Sequence, residues 1–94
     1  MGMGTKENMS MEAKEIVSWL DNASDYDRKQ VDEGSSLGNK VSDALRELGW
    51  KTAKSYSRCT KATFEAHLEK GAMRVEIVSS VFMGSFTMFS VRPS

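Results

Sequence analysis

The chain has one cysteine and one histidine in 94 residues. A lone Cys59 excludes an internal disulfide and any multi-cysteine zinc site. His67, also alone, leaves the usual zinc hydrolase sites without their several His or Cys ligands. The single thiol fits a reducing, cytoplasmic setting. No apolar run approaches the ~20 residues that span a bilayer. The opening "MGMGTKENMSMEAKE" lacks the apolar centre of a signal peptide, and its Thr5 and Lys6 do not supply the Ser/Thr of a myristoylation signal. Net charge is absent too, at zero, so the global basic footprint of many nucleic-acid binders is missing. No nucleophile, base and orienting group stand in a recognisable set, and no enzyme or cofactor is expected. Cys59 lies between Arg58 and Lys61 with no general base near it in sequence, and is read as structural. The acids Asp21, Asp25, Asp27, Asp32 and Glu33 lack the central Gly and closing Glu of a calcium loop. They read as a solvated helix surface, with no metal.

What remains is a globular composition, 39% apolar, in a chain long enough for one core. Residues 1–9 are expected to form a flexible tail and 10–94 a single domain. A first helix is expected from about Ser10, its N-cap, with Ala13, Ile16, Val17 and Leu20 at helical spacing. A weaker surface helix is expected over Asp25–Glu33, capped by Ser24, with only Tyr26 and Val31 apolar. A third helix carries Leu37, Val41, Ala44, Leu45 and Leu48 on one face, capped by Ser35 or Ser36 and ended by a left-handed Gly49. The period then drops to two. "ATFEAHL" alternates Phe64, Ala66 and Leu68 with Glu65 and His67. "EKGA" signals a turn. "MRVEIVS" alternates Met73, Val75 and Ile77 with Arg74 and Glu76. "SFTMFSVR" puts Phe86 and Met88 on one face and Phe89 and Val91 on the other, so this strand is either central in a sheet or covered by a partner. Residues 51–58 read as a preceding strand. The expected fold class is α+β: two or three N-terminal helices, then a three- or four-stranded antiparallel sheet.

Charge is unevenly distributed. Residues 1–49 hold ten acids and six bases, and residues 50–94 hold three acids and seven bases. Lys51, Lys54, Arg58 and Lys61 follow the third helix without an intervening acid. Such cations can reach phosphates, and Trp50 or Tyr56 can stack on a base. The same lysines would equally suit a solvated edge strand that resists aggregation. On the third helix, Asn39 and Lys40 are residue types that read adenine and guanine edges, or simply its solvated face.

The segment "LGNKVSDALRELGWKTAKSYSRCTK", within residues 11–68, resembles the winged-helix DNA-binding modules appended to phage and plasmid replication proteins. The resemblance implies a third helix near the major groove, presenting Asn39 and Lys40. It also implies a basic wing of Lys51, Lys54, Arg58 and Lys61 on the phosphates, beside the stacking Tyr56. The alternative is a small phage-type protein-binding inhibitor or adaptor. Its contacts would come from the apolar C-terminal hairpin, residues 81–91 with Phe82, Met83, Phe86 and Phe89, or from strand addition at a sheet edge, and self-association through the same residues is open. Strand arrangement separates the two readings. A winged helix projects 52–58 and 62–68 as a hairpin, whereas a layered domain lays every strand in one sheet under the helices.

Overall fold

The structure is a computed structural model that describes residues 11–53, 62–81 and 84–93. Two helices and five strands alternate as α1 (Met11–Asn22), β1 (Arg28–Val31), α2 (Ser35–Glu47), β2 (Lys51–Thr52), β3 (Phe64–Lys70), β4 (Met73–Ser80) and β5 (Phe86–Pro93). All five strands join one antiparallel sheet in the order β1-β5-β4-β3-β2. The α+β class is therefore observed, as two layers with both helices on one face of the sheet.

The helices form where the apolar spacing required them. Ala13, Ile16 and Leu20 of α1 and Leu37, Val41, Ala44 and Leu45 of α2 are buried. They meet Ala66 and Leu68 of β3, Val75 and Ile77 of β4, and Phe89 and Val91 of β5. This one cluster is the core of the domain. Gly49, at φ 102°, ends α2 as expected. The Trp50 N–H donates to the Leu45 carbonyl and the Gly49 N–H to the Arg46 carbonyl, the paired bonds of a Schellman end. The Lys70 ammonium donates to the Leu48 carbonyl at 2.9 Å, binding the same helix end to the sheet.

Gly38 sets how close α2 lies to the sheet. A Cβ there would stand 2.8 Å from both the Phe64 ring and the Ser79 hydroxyl. Beside it, the fully buried Thr87 hydroxyl lies 2.7 Å from the Ser79 hydroxyl and donates to the Glu33 carbonyl at 2.7 Å. This pair joins β4 and β5 to the entry of α2. The N-cap of α2 is Gly34, without a side-chain cap bond, so Ser35 and Ser36 do not cap it. The expected cap of α1, Ser10, lies outside the described residues.

Two expectations need correction. Asp25–Glu33 is not a helix: its middle is β1, paired with β5 from Arg28↔Ser90 to Val31↔Thr87. Four residues with one apolar side chain carry weak local preference, and the ladder to β5 decides their conformation. The sheet consequently has five strands rather than three or four, and one strand falls between the helices. The described residues hold two helices, within the two or three expected.

Candidate functional site

Strand alternation and register give the sheet a second face, opposite the helices. It carries Arg28 and Gln30 of β1, Phe86, Met88, Ser90 and Arg92 of β5, Arg74, Glu76, Val78 and Ser80 of β4, and Glu65, His67 and Glu69 of β3. No described helix or strand lies over it. Val78 is paired with Met88 and Ser80 with Phe86 across β4 and β5. Val78, Met88 and Phe86 are each half-buried, so an apolar strip runs along the hairpin.

A polar chain borders that strip. Glu65 and His67 are almost sealed from solvent, with side chains 5% and 6% exposed. An arginine can only donate, so the 2.8 Å contact from Arg74 to His67 Nδ1 makes that nitrogen an acceptor. Nε2 then carries the proton and donates to Glu65 at 2.9 Å. The ring therefore has both nitrogens engaged. Its lone pair is directed at a guanidinium rather than at a substrate position, which suits a structural link better than a general base. Glu76 continues the chain at 3.7 Å from Arg74 Nε and 3.4 Å from Arg92 Nε.

The far end of this face holds an open cleft of about 380 Å³ lined by Tyr26, Arg28, Ser90, Val91 and Arg92. Tyr26 is 74% exposed and is the one non-glycine residue with positive φ, at 71°, among the described residues. The cause is local. The Asp27 N–H donates to the Ser24 carbonyl, closing a turn whose third residue is Tyr26. The Tyr26 N–H then donates to the Val91 carbonyl at 2.7 Å, and the Val91 N–H to the Asp27 carbonyl at 2.8 Å. Two residues of one strand thus oppose one of the other, as in a bulge whose first position is left-handed. Glycine is the usual occupant of both the turn position and the bulge position.

The residues singled out from sequence fall in several places. Phe89 is fully buried against the helices, which removes it from any docking surface. Phe86 is on the face opposite the described helices, alternating with Phe89 as expected. Asn39 and Lys40 are exposed on α2, and Asn39 donates to its own helix, at the Ser35 carbonyl, 3.0 Å away. Lys51 is exposed on the edge strand β2, paired with Glu69. The described residues do not gather these three into one patch. Lys54, Tyr56, Arg58, Lys61, Phe82 and Met83 lie outside the described residues. Tyr26, Arg28 and Arg92 were missed, since only a strand at 28–31 and its register with β5 bring them together.

Among the described residues no cluster of His, Cys, Asp or Glu is arranged to hold a metal ion, and no helix is long and apolar enough to cross a membrane. The chain matches no protein-family model, and comparison with curated proteins and with solved structures finds no match.

Proposed function

We propose that this chain is a small protein-binding module, of the inhibitor or adaptor type, that docks a partner on the helix-free face of its β4–β5 hairpin. One observation carries the reading: Val78, Met88 and Phe86 sit side by side on a sheet face that no described element covers. Half-buried apolar side chains rimmed by charge are the usual composition of a protein-docking patch. The rim carries both signs, with Glu69 and Glu76 among Arg74 and Arg92. It therefore suits a protein surface better than a run of phosphates. A photo-crosslinking residue at position 88, with position 40 on the helix layer as control, tests this in producing cells. The expected result is one adduct specific to position 88. Adducts at neither position, or equally at both, would count against the reading.

A second reading keeps nucleic acid as the ligand. Its support is the acid-free run Lys51, Lys54, Arg58 and Lys61, together with the helix end at Gly49 that precedes it. A gel shift on duplex DNA at two salt concentrations tests it. Phosphate contacts predict affinity that falls steeply with salt, and no binding at about 50 mM salt would end this reading.

A further inference from the structure

We propose that Tyr26, Arg28, Ser90 and Arg92 form a nucleotide-binding corner, with phosphate between the two guanidinium groups and the base against the Tyr26 ring. The proposal concerns a different end of the sheet from the basic segment after α2 and does not rest on either reading above. β1 and β2 are the two outer strands, separated by four strand spacings, or roughly 19 Å.

The register sets the two cations. Arg28 pairs with Ser90, and Arg92 follows Ser90 by two residues on the same strand. The arginines are therefore diagonal neighbours on one face, within reach of a common oxyanion for side chains of this length. Arg28 has no acidic partner among the described residues. Arg92 is held through Nε by Glu76 at 3.4 Å. That contact is made through Nε alone, and the two terminal nitrogens are the ones offered to a ligand. Glu76 also lies 3.7 Å from Arg74 Nε, so its carboxylate stands between two guanidinium groups. Paired guanidinium groups match a phosphate's charge and its several acceptor oxygens better than they match a single carboxylate.

Tyr26 supplies the aromatic half. Its ring is mostly in solvent, and its backbone takes a conformation that glycine would adopt without strain. Neither burial nor backbone preference accounts for a tyrosine here. A ring lining the same cleft as two arginines accounts for it, because an exposed aromatic face stacks on any base. Strained backbone that stability does not explain is common at ligand sites. The acids of the same turn are Asp25 and Asp27, and the Asp27 carboxylate is engaged, accepting from the Ser24 N–H at 2.8 Å. The cleft, at about 380 Å³, lies in the range of small-molecule sites, about 300–1,000 Å³.

The test is a ¹H–¹⁵N NMR titration of the full chain with AMP, inorganic phosphate, adenosine, an oligo-dA strand and a tetraglutamate peptide. AMP is expected to shift the amides of residues 26–28 and 90–92, with phosphate alone shifting Arg28 and Arg92 more weakly. Arg28→Gln and Arg92→Gln should each weaken AMP at least about tenfold with the remaining spectrum intact. Tyr26→Gly should reduce AMP affinity to that of phosphate while leaving phosphate affinity in place. Tighter binding of oligo-dA than of AMP would identify a strand as the source of the nucleotide, and equal binding a free nucleotide. No AMP shifts at about 10 mM, AMP binding that survives both arginine changes, or tetraglutamate bound more tightly than AMP would each overturn the proposal.

Discussion

Tyr26 shows how a single residue can be read against its own backbone. A left-handed φ costs a non-glycine residue about 1–2 kcal/mol, while glycine loses more chain freedom on folding, about 0.5–1 kcal/mol. The ring is 74% exposed, so its removal forfeits little burial. The balance favours glycine. Tyr26→Gly is expected to raise stability by about 0.5–1 kcal/mol, read as a higher urea midpoint with an unchanged slope. A loss of about 1 kcal/mol or more would mean that the ring packs on its neighbours and that its presence is structural. His67 is the opposite case. On the face opposite the two described helices, it is nevertheless buried with both ring nitrogens engaged, so the protein's one imidazole links Glu65 to Arg74.

At the scale of elements, the contact between α2 and the sheet depends on Gly38. Alanine would gain about 1 kcal/mol in helix propensity there. Its Cβ, however, would lie 2.8 Å from the Phe64 ring and the Ser79 hydroxyl. Phe64 is half-buried and can yield. Ser79 is fully buried and bonded to Thr87, and cannot. Overpacking of this kind costs about 1–3 kcal/mol, so Gly38→Ala is expected to destabilise by about 1 kcal/mol net, seen as a lower midpoint in thermal or urea unfolding. An unchanged or raised midpoint would show that the helix can lift from the sheet freely. Local sequence carried most of these elements. The spacing from Ala13 to Leu20 and from Leu37 to Leu45, the left-handed Gly49, and the alternation in β3, β4 and β5 are all properties of neighbouring residues. β1 was illegible for the same reason. "RKQV" has one apolar residue and takes strand form only because β5, nearly 60 residues later, offers it a ladder. The candidate corner was hidden with it, since Arg28 and Arg92 become neighbours only through that register.

Over the whole molecule, β5 is the strand on which the two faces of the sheet diverge. It lies between β1 and β4, so its apolar residues on both sides have distinct tasks. Thr87, Phe89 and Val91 face the helices and are fully buried. Phe86, Met88 and Ser90 face outward and are half-buried. Apolar content alone could not say which side belongs to the core. The pair Phe89→Asp and Met88→Asp separates them. An unpaired carboxylate in place of Phe89 would be surrounded by Ile77, Val91 and the helices. Losing the ring itself costs about 3–5 kcal/mol, and burying the charge adds to that, enough to exceed the stability of many domains of this size. Phe89→Asp is therefore expected to abolish cooperative unfolding, with circular dichroism and NMR dispersion close to those of a disordered chain. Met88→Asp places its charge beside Gln30 and Val78 on the face opposite the described helices, and is expected to stay within about 1 kcal/mol of the native midpoint. If instead Met88→Asp unfolds the domain and Phe89→Asp does not, the layers are reversed, and the apolar strip along the hairpin is core rather than a surface for a partner.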